Sequence, residues 1–242
     1  MADYTGVPGD RDLELEQHLI ELAQRLAIVV IVVGIITIVA FFIVSRDLVL
    51  FLRQDLLPAD IIVIVLHPME YIYMRIQISI VFAVIISNPL IVYEIYKFMR
   101  PGLFPSERKF FLTVIPSSLF LFLIGGWFSY AFVAPIGTKF LVRYTEERVA
   151  PLIVLEYFIS YISYILLMFG AIFEIPLIIY LLLKLDLVKA KDLKKWRKLI
   201  YGGVLVLAFA FTPDPTPVTP VLITLMVIVL YELSLKLAER IT

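Results

Sequence analysis

Uncharged apolar runs dominate the pattern of this chain. They lie at about residues 27–44, 76–93, 110–134, 157–183, 199–211 and 221–235. The first four are long enough to cross the ~30 Å apolar layer of a bilayer as helices. The last two, of 13 and 15 residues, would extend only ~20–23 Å, and the prolines between them at 213, 215, 217 and 220 exclude a continuous helix. The pattern predicts an all-α chain with six transmembrane helices, the last two forming a short hairpin.

We expect a single membrane domain from residue 12 to residue 242. With flanking residues included, its spans are predicted at about 27–44, 74–97, 108–134, 157–183, 198–212 and 220–236. Residues 1–11 lack the basic start and the apolar core of a cleavable signal, so they are expected to be a short disordered leader.

Residues 12–26 have the periodicity of an amphipathic helix. A stripe of leucines and a stripe of polar side chains lie about 100° apart on this helix; the polar stripe consists of Glu14, His18, Glu21 and Arg25. Such a helix can lie along the membrane surface and continue into the first span. Two interpretations stay open: His18 and Arg25 pair with the acids one turn earlier, or the Glu21 face recognises a cationic segment.

The composition limits the class of protein and the kinds of binding site that this chain can form. Apolar residues make up 62% and charged residues 17%, and the mean hydropathy is +0.99, unlike a soluble domain. Because the net charge is zero, nucleic acid is not an expected partner. The sequence contains no cysteine, which excludes disulfides and Cys-ligated metals. We expect neither a metal nor a cofactor.

Lysine and arginine are distributed unevenly between the connections. Summed over alternate connections, fifteen lysines and arginines lie on one side of the predicted membrane and five on the other. Arg75, at the beginning of the second span, is not included in these sums. Because the excess marks the cytoplasmic side, we expect a multi-pass protein of the cytoplasmic membrane with both termini in the cytoplasm. The basic segment 189–198 is explained by attraction to anionic headgroups.

Glu174 is the one charged residue in the run 157–183, and Pro176 follows it closely. A carboxylate near the middle of a bilayer costs several kcal/mol when it is ionised and unpaired. It is therefore expected to be neutral or to have a partner, either on a neighbouring helix of this chain or on another protein.

A rigid loop is predicted within residues 96–109, where Pro101-Gly102 and Phe104-Pro105 restrict the backbone. Glu107 then falls in the first turn of the next helix, where the helix dipole alone would favour an acid. Glu107 and Glu21 are both predicted near the bilayer on the cytoplasmic side. Two carboxylates at that level suit a ligand with paired arginines, because each guanidinium can bind a carboxylate in bidentate fashion.

Enzymatic chemistry has little support in this sequence. His18 and His67 fall on opposite sides of the predicted membrane, and neither belongs to a hydrolase or metalloprotease motif. Ser117 and Ser118 lie within the third span, where an interhelical hydrogen bond is their expected use. We predict that the protein is not an enzyme.

An ordered series of short motifs resembles the TatC family, the integral core of the twin-arginine protein translocase. The amino-terminal motif is carried by His18, Glu21 and Arg25. The later motifs are carried by Pro68 and Glu70, Pro89, Phe98, Pro101, Gly102, Glu107, Phe173-Glu174-Ile175-Pro176, Pro213-Asp214 and Tyr231-Glu232. Each motif is weak alone, whereas their order over residues 15–236 is specific.

The resemblance implies a receptor with a concave, glove-like fold that is not an enzyme. Such a protein binds, at its cytoplasmic face, the twin-arginine signal peptides of folded cargo proteins. It assembles with small single-span partners of the TatA and TatB type for export driven by the proton-motive force, and self-association stays open.

The resemblance also implies roles for individual residues. Glu107 would be the principal carboxylate for the arginine pair and Glu21 the second. Arg25, Phe98 and Pro101 would lie beside them. Glu174 and Pro176 would contact a partner's membrane helix. The remaining motif residues would be structural, namely Pro68, Glu70, Pro89, Pro213 and Asp214.

The chain departs from the family pattern at three places. Ala23 stands where an arginine is usual, and Gln77 replaces a usual lysine, with Arg75 about half a turn earlier. Val218-Thr219 stands where a Ser-Gln pair is common. These departures put contacts at those positions in doubt. They do not affect the three glutamates to which binding roles are assigned, Glu21, Glu107 and Glu174.

Two other classes of function compete with the receptor. A proton-coupled secondary transporter would use Glu174 as a relay beside the Pro176 kink. Against it, few polar residues lie within the spans and the second half does not repeat the first. An intramembrane protease would need a nucleophile with a base, and the sequence offers no such pair.

Overall fold

The structure, a computed structural model, describes residues 15–58, 61–100, 105–146, 152–185, 187–212 and 217–238. Within these ranges the side chains of residues 15–16, 105–112, 144–146 and 238 are not described. The predicted leader, Pro101, Pro213, Asp214 and the side chain of Glu107 therefore lie outside the described part.

Nine α-helices and two short strands make up the described ranges. The helices are α1 Leu15–Ile43, α2 Ser45–Leu56, α3 Pro68–Met99, α4 Pro105–Phe128, α5 Ala134–Glu146, α6 Leu155–Phe173, α7 Ile175–Lys184, α8 Ala190–Phe211 and α9 Val218–Ala238. The strands are β1 Ile62–Ile64 and β2 Leu152–Val154. A π-helical turn, Ser129–Val133, joins α4 to α5.

Five segments of the described chain are long and apolar enough to cross a membrane. They are Gln17–Ile43, Pro68–Met99, Thr113–Arg143, Leu155–Lys184 and Val218–Leu237. The sixth predicted span, 198–212, lies in α8, which begins with the basic segment and has only a short apolar part after it. The sequence identifies the chain correctly as an all-α polytopic membrane protein, whereas the helix that contains the sixth predicted span, α8, is less apolar than the other five.

The amino-terminal segment and the first span form one uninterrupted helix, α1. At 1.5 Å per residue its 29 residues extend about 43 Å, which is more than the ~30 Å apolar layer. From Leu15 onwards, the predicted amphipathic helix 12–26 is therefore the first part of α1, and it continues without a break into the first span.

Helix α6 occupies the centre of the packing. It packs against α3 and α4, and α3 in turn packs against α1. Ile159, Ile162, Ile165 and Phe169 of α6 have no exposed surface, and they lie three or four residues apart, on one face of the helix. The hairpin of α8 and α9 is attached through contacts between α9 and α7.

Glu174 marks the boundary between α6 and α7. The chain leaves the α-helical pattern there, and Pro176 lies in the first turn of α7. Because proline has no N–H and its ring clashes with the preceding turn, the fourth span is interrupted at the level of the carboxylate. Pro89 and Pro116, by contrast, lie inside α3 and α4 without ending them.

The two strands form a small parallel ladder between connections at the same end of the helices. Ile62 pairs with Leu152 and Ile64 with Val154. The ladder satisfies backbone hydrogen bonds in the loops that precede α3 and α6, and it was not expected from the sequence.

Helices α4 and α6 approach each other closely at two glycines. A Cβ atom on Gly125 would overlap the carbonyl oxygen of Phe169, and one on Gly170 would lie 2.6 Å from the Phe122 ring. Only glycine fits at these two positions without a shift of backbone or ring.

We predict that Gly125→Ala destabilises the protein by about 1–3 kcal/mol, the usual cost of overpacking a core. The measurement is thermal unfolding in detergent. Gly126→Ala is the matched control, because a Cβ at the neighbouring glycine meets nothing within 4 Å. Equal unfolding temperatures for the two variants would contradict the close contact between the helices.

Candidate recognition site and intramembrane polar cluster

The polar stripe of α1 faces α3. His18, Glu21 and Arg25 are partly buried, whereas Leu19 and Leu26 on the leucine stripe are about three-fifths exposed, at 60% and 61%. The leucines are thus left to the lipid, and the polar side chains are held between two helices.

Arg25 connects two carboxylates from different helices. Its Nη2 atom donates to Glu21 Oε1 at 2.9 Å, and its Nη1 atom donates to Glu94 Oε2 at 3.2 Å. Lys97 lies one turn after Glu94 and places its Nζ atom 3.7 Å from Glu94 Oε1. We call Glu21, Arg25, Glu94 and Lys97 the Arg25 network; its two acids and two bases balance in charge.

An aromatic contact adjoins the Arg25 network. The rings of His18 and Phe98 stack with their centroids 4.3 Å apart, and Lys97 Nζ lies 4.6 Å from the centre of the Tyr93 ring. His18 therefore contacts an aromatic ring on α3. Its predicted partner Glu14 lies outside the described residues, whereas the predicted pair between Arg25 and Glu21 is observed.

The backbone brings the start of α4 near the same end of α3. Helix α3 ends at Met99, and Glu107 lies in the first turn of α4, which begins at Pro105. The five residue steps from Arg100 to Pro105 can extend at most about 18 Å. The first turn of α4 is thus tethered within that distance of the end that carries Glu94 and Phe98.

A second polar group, the Glu174 cluster of Asn88, Ser118 and Glu174, lies inside the helical bundle. Asn88 Nδ2 donates to Glu174 Oε1 at 2.7 Å, and Ser118 Oγ lies 2.8 Å from the same oxygen and 3.1 Å from Asn88 Oδ1. Asn88 and Ser118 are buried. Three spans therefore meet through one carboxyl group, which has the partner that its depth in the bilayer requires.

The two serines of the third span have different uses. Ser118 makes the interhelical hydrogen bonds that were predicted, whereas Ser117 Oγ donates to the Thr113 carbonyl of its own helix. The difference follows from their one-residue offset, since successive side chains of a helix point about 100° apart.

Two residues of these sites were missed by the sequence reasoning. Glu94 directly follows the apolar run 76–93 and is not among the predicted site residues, although it is only 5% exposed. Asn88 is a strongly polar residue within the run 76–93, directly before Pro89, and that position was the available signal.

Glu70 has a clear structural use. It lies in the first turn of α3, where Pro68 occupies a starting position, and its Oε2 accepts the Leu66 N–H at 2.9 Å. The carboxylate thereby satisfies a backbone group that precedes the helix, which resembles a capping box.

Gln77, one of the departures from the family pattern, and the nearby Arg75 make separate contacts. Arg75 donates to the Phe41 carbonyl and to Ser45 Oγ, at 2.5 and 2.9 Å, and its guanidinium lies over the Phe41 ring. Gln77 instead accepts a hydrogen bond from Ser160 of α6 at 2.9 Å. Arg75 therefore connects α3 to α1 and does not substitute for a cation at position 77.

Within the described ranges, no group of three or more His, Cys, Asp or Glu side chains could hold a metal ion.

The model of one protein family, the Sec-independent protein translocase protein TatC, matches residues 17–225. The chain belongs to the TatC family. The resemblance identified from the sequence is confirmed. The protein is a membrane component of the twin-arginine translocase. The TatC family is a non-enzymatic family of protein transport.

Relatives and solved structures agree with this assignment over nearly the whole chain. The TatC protein of Methanocella arvoryzae is 34% identical over 238 residues, covering 98% of each chain. That of Aquifex aeolicus is 30% identical over 235 residues, covering 94% of this chain and 97% of the relative. A crystal structure of the twin arginine translocase receptor TatC matches with a TM-score of 0.82 at 30% identity, covering 92% of this chain and 98% of that one.

We predict that Ser118→Ala lowers the stability of the folded protein by about 1 kcal/mol, because it removes a buried donor between membrane helices. Thermal unfolding in detergent measures the change. Ser117→Ala is the control and should leave the unfolding temperature unchanged, since its hydroxyl serves only its own helix. A larger loss for Ser117→Ala than for Ser118→Ala would contradict the proposed connection.

Proposed function

We propose that this chain is the receptor subunit of a twin-arginine translocase and that it binds the Arg-Arg signal peptides of folded proteins at its cytoplasmic face. The observation that carries the proposal is the convergence of acids at one end of the bundle. Glu21 and Glu94 lie between α1 and α3, and the backbone of Glu107 is tethered nearby.

The orientation of this end supports a cytoplasmic site. The beginning of α1, the end of α3 and the beginning of α4 share it, and these segments belong to the side with the excess of lysine and arginine. On this basis both termini face the cytoplasm, and the protein lies in the cytoplasmic membrane.

Guanidinium chemistry supports the choice of ligand. A planar guanidinium donates two parallel hydrogen bonds to a carboxylate, whereas an ammonium group is a compact charge without that geometry. We assign Glu107 as the principal carboxylate for the arginine pair and Glu21 as the second. Arg25, Phe98 and Pro101 lie beside the peptide in this proposal.

We predict that Glu107→Lys abolishes binding of an Arg-Arg signal peptide and that Glu21→Gln weakens it about tenfold or more, since a hydrogen bond to a charged group contributes about 1.5–3 kcal/mol. The measurement is fluorescence anisotropy of a labelled peptide with the purified full chain. Affinity should fall with salt and when Lys-Lys replaces Arg-Arg.

Glu156→Lys is the control for these charge changes. Glu156 lies in the first turn of α6, at the opposite end of the bundle from Glu21. Its substitution should leave peptide affinity unchanged. Equal affinity of the wild type for the Arg-Arg and Lys-Lys peptides would be incompatible with the assigned carboxylate roles.

Glu174 supports a second contact, with the membrane helix of a small single-span partner of the TatA or TatB type. Within the described residues both of its hydrogen bonds reach Oε1, which leaves Oε2 for a polar group on a partner. The break at Glu174 and Pro176 also interrupts the helix surface at this depth. Export driven by the proton-motive force completes the proposed function.

We predict that Glu174→Lys and Glu174→Ala reduce co-purification of the single-span partner more than they reduce peptide binding. Glu174→Gln should retain most of both, because its amide oxygen still accepts from Asn88 and Ser118. The measurement is the partner-to-receptor ratio after detergent extraction. A transporter that used Glu174 as a proton relay would instead lose solute flux with Glu174→Gln and would not bind the peptide.

A further inference from the structure

Arg25 occupies a position that suits the guanidinium of a ligand. One end of its fork donates to Glu21 of its own helix and the other to Glu94 of α3. The two carboxylates thus hold a single planar cation between them, and each accepts a hydrogen bond from one of its two Nη atoms. A rigid fork with several donors is the property that distinguishes arginine from lysine.

Glu94 depends on this cation. Its side chain is 6% exposed, and a buried carboxylate without a partner is strongly unfavourable. Lys97 approaches the other oxygen only at 3.7 Å and is about one-third exposed, at 32%, so it is the weaker of the two contacts. Any event that removes Arg25 must supply another cation to Glu94.

The Arg25 side of the network is open enough for exchange. The side chains of Arg25 and Glu21 are 26% and 24% exposed, so about a quarter of each is accessible, whereas the side chain of Glu94 on α3 is nearly buried, at 6%. The stacked rings of His18 and Phe98 belong to residues about one turn from Glu21 and Glu94.

We propose that Glu21 and Glu94 form a guanidinium-binding site, that Arg25 is its internal occupant, and that one arginine of the signal peptide takes the place of Arg25 on binding. This inference rests on the proposed function and adds Glu94 to the binding residues. Exchange of one guanidinium for another keeps Glu94 paired with a cation, whereas the compact ammonium group of a lysine has no planar fork with one arm for each carboxylate.

Competition by Arg25 lowers the apparent affinity for the peptide. A ligand that binds only the vacated site has an apparent dissociation constant equal to the intrinsic constant divided by the fraction of molecules in which the site is vacated. Removal of Arg25 should therefore tighten binding of an Arg-Arg peptide, and the gain should require Glu94.

The test measures the affinity of the full-length protein in detergent for an Arg-Arg peptide and for its Lys-Lys counterpart. Arg25→Gln should bind the Arg-Arg peptide about three- to tenfold more tightly than the wild type, equivalent to ~0.7–1.4 kcal/mol. The double variant Arg25→Gln with Glu94→Gln should lose this gain, and Glu94→Gln alone should reduce the preference for Arg-Arg.

Arg197→Gln is the matched control. Arg197 forms an ion pair of the same 3.2 Å length with Glu232, between α8 and α9, and its loss should leave peptide affinity unchanged. Arg25→Lys is the second variant should Arg25→Gln unfold. Its ammonium group keeps a cation near Glu94 but lacks the planar fork, so it should give a smaller gain of the same sign.

Failure of this inference can be distinguished from failure of the proposed function. A wild type that prefers Arg-Arg and loses binding with Glu107→Lys, combined with no gain from folded Arg25→Gln or Arg25→Lys, overturns the exchange and leaves the receptor role intact. A wild type without any preference for Arg-Arg overturns both.

Discussion

The structure depends on one constraint, which is that a charged or strongly polar side chain in or beside an apolar layer must have a partner. In this chain the partners come from other helices. Arg25 of α1 reaches Glu94 of α3, Arg75 of α3 reaches the Phe41 carbonyl of α1, and Glu174 accepts from residues on two other spans. Lipid provides no hydrophobic force that would hold the helices together, so these polar contacts and close packing specify their arrangement.

The same constraint explains why the proposed sites can exchange partners. A buried carboxylate such as Glu94 is stable only while a cation remains beside it, and this requirement does not specify which molecule supplies the cation. Glu174 is held through one oxygen by its own chain, and in the proposed function the other is available to a second protein. Specific binding then follows from the geometry of the exchange, since a guanidinium fits where an ammonium group does not.

The sequence predicted those features that depend on pattern and length, and it missed those that depend on which faces meet. The runs of apolar residues identified the spans, and the position of Glu174 within one of these runs predicted that its carboxyl group has a partner. Asn88 could not be paired with it, because 86 residues separate them in the chain. Glu94 directly follows an apolar run, and its burial depends on the packing of α3 against α1, which the sequence does not show. The three-residue strand Ile62–Ile64 is too short to give a periodic signal.

Helix α3 determines how the Arg25 network and the Glu174 cluster are placed relative to each other. Asn88 and Glu94 are six residues apart on this helix, a rise of about 9 Å. Six steps of about 100° direct the two side chains to different faces, which is why Glu94 meets α1 while Asn88 meets α4 and the α6–α7 boundary. Pro89, at the residue after Asn88, lies within α3 without ending it. One continuous helix thus carries Glu94 of the proposed guanidinium site near its end and Asn88, which contacts the Glu174 carboxyl group, deeper in the membrane. The distance between these two residues therefore does not depend on any loop.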